Sequence, residues 1–304
     1  MRRITKTGVL GVVDKGCQDY QTEADRVAQR MIVASLTKKF PNSLIVGEET
    51  LIEDKEADAR FLVDTYDEDV LKLELPSQYR DLQEKDITIW VDPLDGTAEF
   101  VKGLLEHVTV LIGISVNGKS VAGIIHQPFY GYEQLKLSTS DVKNLDPSSL
   151  SGRTMWGLIG LGCFGVVPKN LSNDRLIITT TASHGNANIE DSIAGLKPDE
   201  VLKVGGAGHK VLLVIEGRAH SYVFASSGSK RWDTSAPEAV LESVGGKLTN
   251  VFGDYIEYKY GNDADYQNTL GIVASINDEI HSKIIKNIPE EVKLRLQAKI
   301  KASL

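Results

Sequence analysis

The sequence predicts a layered protein of mixed α+β and α/β type, with two halves of different pattern. Three observations predict it. Asn117-Gly118 stands between two apolar runs, 109–116 and 120–125, which marks an antiparallel hairpin in the first half. A stretch with helical apolar spacing, 19–40, precedes that hairpin. After residue 176, strand-like and helix-like segments alternate, as in an α/β unit.

Each element has its own reason. Ala24, Val27, Ala28, Met31, Ile32 and Leu36 recur at near-helical spacing, and Pro41-Asn42-Ser43 ends that helix. Leu44-Ile45-Val46 is a short buried strand that delivers Glu48 and Glu49 at its end. Residues 51–83 are charged and irregular, and read as a helix and a solvated loop. Ile87-Thr88-Ile89-Trp90-Val91 is a strand that runs into an acidic turn. The polar segment 132–152 reads as the connection between halves, which divides the chain into 1–150 and 151–304. In the second half, strands are expected at 176–180, 201–204 and 221–224, and helices at 189–195, 209–217 and 234–244. Gly245-Gly246 stops the last helix before a strand at 247–249.

The chain has 304 residues, enough for a substantial core, and a net charge of −8. No apolar run approaches the ~18 residues of a membrane helix. Met1-Arg2-Arg3-Ile4 is basic but lacks the apolar stretch of a secretory signal. A cytoplasmic protein is expected, with Cys17 and Cys163 as free thiols and Asn170-Leu171-Ser172 an accidental glycosylation triplet. The acidic balance and the lack of a basic stripe argue against nucleic acid or an anionic membrane as partner. A phosphorylated substrate would need a local positive centre. A monomer is expected.

The chemistry concentrates in Asp92-Pro93-Leu94-Asp95-Gly96-Thr97. Two carboxylates three residues apart leave a strand end for a tight turn, where backbone N–H groups and a hydroxyl follow. Carboxylate oxygens suit hard divalent cations, and amides at a turn suit a phosphate. Gly47-Glu48-Glu49 and Trp232-Asp233 supply further acids at element ends. Taken alone, Glu49 and Asp25 read as solvated side chains, and Asp233 as a helix N-cap. Gly205-Gly206-Ala207-Gly208-His209-Lys210 opens a helix after a strand, but it departs from the Walker pattern at His209 and Val211.

These three acidic motifs, in this order, resemble the inositol monophosphatase superfamily of metal-dependent, lithium-sensitive phosphatases. Gln21-Thr22-Glu23-Ala24-Asp25-Arg26, Gly103-Leu104-Leu105 and Tyr222-Val223-Phe224-Ala225-Ser226 resemble its bisphosphate nucleotidase branch. The resemblance implies a layered αβαβα sandwich. It implies Glu48, Asp92, Asp95, Asp233 and the Leu94 carbonyl as ligands of two or three Mg²⁺ ions. It implies Asp25 and Thr97, with Glu48, as the groups that activate water. Thr181, His184, Gly206 and Lys210 match nucleotide-contacting positions, and Arg231, beside Asp233, is expected to help bind the substrate. The activity implied is hydrolysis of the 3'-phosphate of adenosine 3',5'-bisphosphate to AMP, with 3'-phosphoadenosine 5'-phosphosulfate and inositol 1,4-bisphosphate as further substrates. An inositol polyphosphate 1-phosphatase and a catalytically silent nucleotide sensor are the alternatives. His209 stands where the branch has Asn, and Ala98 where it has Lys. The branch also has a further helix ahead of Arg2-Arg3.

Overall fold

The computed structural model describes residues 1–7, 9–16, 20–49, 57–137, 146, 149–169, 171–172, 174–183, 185–261 and 266–303. Cys17, Asn170 and His184 lie outside the described residues, so the readings made of them stand as expectations. Cys163 is a free cysteine.

The chain opens with α1 (Arg2–Thr7) and a two-stranded antiparallel ribbon, β1 (Val13–Asp14) and β2 (Tyr20–Gln21). Helix α2 (Glu23–Lys39) begins later than the expected 19 because a capping box sets its start. The Thr22 hydroxyl accepts from Ala24 N, while the Asp25 carboxylate accepts from Thr22 N. There follow β3 (Leu44–Gly47), α3 (Glu68–Leu71), β4 (Ile87–Asp95), α4 (Thr97–Val101), β5 (Thr109–Val116), β6 (Lys119–Gln127) and α5 (Tyr132–Leu137). Between residues 57 and 83 the only helical pieces are α3 and two single 3-10 turns. The hairpin between β5 and β6 forms as expected. Asn117 and Gly118 both take positive φ, 51° and 79°, which suits a two-residue turn between twisted strands.

Strands β7 (Arg153–Leu158) and β8 (Gly162–Phe164) lie past residue 150 and complete the first sheet, whose order is β3-β4-β5-β6-β7-β8. Strands β9 (Ile177–Thr181), β10 (Glu200–Val204) and β11 (Ser221–Phe224) are parallel, and α6 (Ala187–Leu196) and α7 (Ala207–Ile215) connect them. Helix α8 (Arg231–Glu242) leads to β12 (Lys247–Thr249), β13 (Ile272–Ser275), α9 (Asp278–Asn287) and α10 (Glu290–Ser303). The second sheet has the order β10-β9-β11-β13-β12.

The layers run α2, first sheet, α7 with α8, second sheet, then α6, α9 and α10, the expected αβαβα sandwich. One core joins Leu111, Ile125 and Met155 of the first sheet to Leu212, Tyr222 and Val240. Another joins Val223 and Val273 to Ile280, Ile284 and Leu296. The second sheet is thus apolar on both faces, which explains why β11 and β13 are buried throughout.

A row of glycines seats α8. Gly113, Gly123 and Gly157 are cross-strand neighbours on β5, β6 and β7. A Cβ on any of them would collide with Ser235 or Ala236 of α8 or with Ser243, which caps its end. The helix therefore lies directly on the sheet backbone, and Asp233 comes down beside the end of β4. Among the described residues, no helix is long and apolar enough to cross a membrane.

Candidate active site

The site begins where β4 loses its regular pairing with β5. The register holds to Asp92↔Leu111 and shifts before Asp95↔Thr109. Such an irregularity re-aims side chains. Asp92 accepts a bond from Leu94 N at 3.0 Å. Gly96, at φ +87°, turns the chain into α4, so Thr97 sits on its first turn. The Thr97 hydroxyl lies 3.1 Å from Asp25 Oδ1 and 3.0 Å from the Leu94 carbonyl oxygen. It has one proton, so it donates to one of them at a time. Asp25 is fully buried, and its other oxygen serves the α2 cap. One carboxylate therefore sets the helix start and faces Thr97, which corrects the solvated reading of Asp25.

Strand β3 runs parallel to β4, and Glu48 N donates to Val91 O at 3.0 Å, which carries Glu48 to the Asp92 side. Gln29 of α2 grips the next residue: its side chain accepts from Glu49 N at 2.8 Å and donates to Glu49 O. Gly47 permits this, since a Cβ there would stand 2.6 Å from Gln29 Cδ. Glu49 is only 6% exposed and pairs with Lys15 Nζ at 2.7 Å and with Gln21. The solvated reading of Glu49 is thereby corrected as well. Its burial depends on Gln29 and the β1–β2 ribbon, which leave no trace in the acidic motif itself.

Asp233 is the third residue of α8. Its carboxylate accepts from Lys230 N at 2.8 Å, so Lys230 occupies the N-cap and the N-cap reading of Asp233 is corrected. Trp232 is buried in a cluster with Trp90 and Tyr258, which anchors this first turn.

The second half supplies the facing wall. Asp95 reaches across to it: its carboxylate accepts from Ala207 N at 2.7 Å, Gly208 N at 2.8 Å and the Thr109 hydroxyl at 2.5 Å. The first turn of α7 is therefore held by the acidic motif of the first half. Gly206 has φ +72°, and a Cβ there would lie 2.5 Å from His107 O. Lys210 is 5% exposed, its Nζ 5.1 Å from the Tyr222 ring centre.

One cleft of about 870 Å³ is lined by Glu48, Asp92, Asp95, Thr97, Lys210 and Asp233, while Asp25 sits behind Thr97 and does not line it. Leu94, Thr181 and Gly206 also reach it. Lys15, Tyr20, Gln21, Glu49, Glu99 and Lys230 belong to it too, beyond the expected set. Arg231 does not line the cleft; its guanidinium donates to Lys259 O at 3.3 Å and stands 5.8 Å from the Tyr266 ring centre. Lys259 and Tyr266 hold it there.

The electrostatics are dominated by buried acid. Burial first, then neighbouring carboxylates, push Glu48 and Asp92 well above the ordinary range. Burial raises Asp233 to about 6, against the bond from Lys230 N. Burial raises Asp95 too, opposed by the charge of Lys210 and its three donors. Lys210 is lowered by burial and supported by Asp95, Glu99 and Asp233. One oxygen each of Glu48 and Glu49 is buried with no hydrogen-bond partner. Among the described residues, no three His, Cys, Asp or Glu side chains close on a point as a preformed metal centre. Along the shared wall, Asp92 meets the carboxyls of both Glu48 and Asp233. An all-oxygen donor set with orphaned buried oxygens and mutual repulsion fits hard divalent cations.

Comparison with known proteins agrees with this geometry. The model of the inositol monophosphatase family matches residues 3–293. Human 3'(2'),5'-bisphosphate nucleotidase 1 is 45% identical over 294 residues, covering 96% of this chain and 90% of the human protein. A Thermotoga maritima IMPase structure superposes with a TM-score of 0.62 at 21% identity, covering 97% of this chain and 94% of its own. An IMPase/NADP phosphatase complexed with Mg²⁺ and phosphate gives 0.61 at 17% identity, covering 94% and 89%. With the family model spanning nearly its whole length, the chain belongs to the inositol monophosphatase family.

Proposed function

We propose that this protein is a Mg²⁺-dependent phosphomonoesterase that removes the 3'-phosphate of adenosine 3',5'-bisphosphate, giving AMP and inorganic phosphate. The observation that carries the reading is Asp95. It faces the acidic wall and at the same time holds the glycine turn that precedes Lys210. The place for a metal and the place for a phosphate are thus mechanically one. The name of the human relative, at 45% identity over most of both chains, supports the nucleotide over the inositol substrate.

Glu48, Asp92, Asp95, Asp233 and the Leu94 carbonyl hold two or three Mg²⁺ ions in this reading. Bound Mg²⁺ supplies the Lewis acidity that makes water a usable nucleophile near neutral pH and steadies the leaving oxygen. The chain's own residues orient that chemistry. A Thr97 hydroxyl that donates to Asp25 turns its lone pairs toward the cleft, where it accepts a bond from the attacking water. The water's proton would pass to Thr97 Oγ1 as the Thr97 proton passes to Asp25, with Glu48 helping to orient the water. Lys210, a buried point charge, binds the phosphate that is not cleaved. Thr181, Gly206 and His184 contact the nucleotide. The protein acts in the cytoplasm as a monomer, is inhibited by Li⁺, and also takes 3'-phosphoadenosine 5'-phosphosulfate and inositol 1,4-bisphosphate.

The test is phosphate release from adenosine 3',5'-bisphosphate and inositol 1,4-bisphosphate, side by side. Faster turnover of the nucleotide supports the reading. Preference for the inositol moves the chain to the polyphosphate 1-phosphatases, and turnover of neither leaves a sensor.

A further inference from the structure

We propose that His107 is a positioning residue that sets the glycine turn before α7, and thereby Lys210, with His209 as its stacking partner. The inference rests on the reading of Lys210 as the contact for the uncleaved phosphate. Asp95 holds the turn from one side, through Ala207 and Gly208. The other side is held by His107, which follows α4 on a single 3-10 turn, Leu105–His107.

Three contacts tie His107 to the turn. Its Nδ1 accepts from Gly205 N at 3.4 Å. Its ring stacks on the ring of His209, with centres 4.7 Å apart and planes 24° from parallel. Its carbonyl oxygen is wedged between two glycine turns: a Cβ would approach it to 2.5 Å at Gly206 and to 3.3 Å at Gly96. One residue therefore touches the turn of the acidic motif and the turn of the phosphate-facing loop. His209 is 5% exposed, its Nδ1 has no partner, and it precedes Lys210 on the first turn of α7. A buried ring nitrogen without a hydrogen-bond partner costs free energy, and the stack on His107 offsets part of that cost. Burial also favours a neutral His107, the form in which Nδ1 can accept from Gly205.

Two substitutions separate the contacts. His107→Phe keeps a stacking ring and removes the acceptor. His107→Asn keeps an acceptor near the Nδ1 position and removes the stack. KM and kcat are measured for adenosine 3',5'-bisphosphate and for adenosine 3'-monophosphate, which lacks the second phosphate. His107→Phe is expected to raise KM for the bisphosphate about fivefold to tenfold, the size of one neutral hydrogen bond. The KM for the monophosphate should move less than about twofold, kcat should fall less than about threefold, and His107→Asn should recover part of the loss. Equal KM changes for both substrates, or none for the bisphosphate, would overturn the proposal. Amide hydrogen exchange over 205–210 gives an answer independent of turnover. It should quicken in His107→Phe while the exchange of β11 stays constant, and an unchanged rate at 205–210 refutes the positioning role. Wild-type protein inactive on both substrates would refute the functional reading instead, and the exchange result would still decide the role of His107 in the turn.

Discussion

Removal of the Asp95 carboxylate should cost far more stability than neutralisation of Asp92, although both lie in one motif and line one cleft. Asp95 receives three donors, from Ala207 N, Gly208 N and the Thr109 hydroxyl. In Asp95→Ala the hydroxyl can rotate to another acceptor, but the two amides stay buried at the start of α7. An unsatisfied buried donor costs about 1–3 kcal/mol, so the loss of both should cost about 2–6 kcal/mol. Asp92 accepts one backbone bond, from Leu94 N, and meets the carboxyls of Glu48 and Asp233; burial first, then the charges of Glu48, Asp95 and Asp233, oppose its ionisation. Asp92→Asn keeps the shape and an acceptor and removes a repelling charge, so metal-free stability should change by less than about 1 kcal/mol. Urea unfolding in EDTA measures both. A clear drop in midpoint for Asp95→Ala with Asp92→Asn near wild type is expected. Equal midpoints for the two variants would refute the idea that Asp95 ties the acidic motif to α7.

Three further outcomes follow from the packing and the site. Gly123→Ala places a methyl group against the backbone of Ala236 and should lower stability by about 1–3 kcal/mol, with a smaller effect for Gly185→Ala, where the space is open and the backbone needs no positive φ; matched thermal melts compare them. His281, 3% exposed and bonded to Thr249, titrates at about 4 in the fold against an ordinary 6.5. Its contribution is complete above 6.5 and is lost as pH falls toward 4, because the unfolded chain takes the proton first. The difference amounts to roughly 3 kcal/mol, and His281→Asn should flatten the stability curve between those values. Thr97→Val removes the hydroxyl that meets Asp25 and should reduce kcat about a hundredfold or more with little change in KM, as measured by steady-state phosphate release.

The parts that the sequence shows clearly are those whose local chemistry agrees with the fold. Asn117-Gly118 has the backbone freedom that its turn uses, and 221–224 and 247–249 are strands at the expected bounds. The acidic motifs stand out because Gly47, Pro93 and Gly96 punctuate them. What stayed hidden depends on register. Gly113, Gly123 and Gly157 acquire meaning only as neighbours across three strands. Strands β7 and β8 follow a polar connection but return to the first sheet, a pairing that local pattern does not encode. Strand β13 and helices α9 and α10 were missed, although a signal existed: Gly271 turns into the apolar run Ile272–Ser275, and Asn277 caps α9 ahead of Asp278 and Glu279. In the site, the carboxylates were legible and their partners were not. Glu49 is buried by Gln29 and Lys15, and Arg231 is turned aside by Tyr266 and Lys259.

The most direct test of the central claim is phosphate release from adenosine 3',5'-bisphosphate by wild type and Asp92→Asn, each with Mg²⁺ and with EDTA. The account predicts turnover only for wild type with Mg²⁺, while both proteins unfold at similar urea concentrations. Near-normal turnover by Asp92→Asn, or wild-type turnover that survives EDTA, would contradict it.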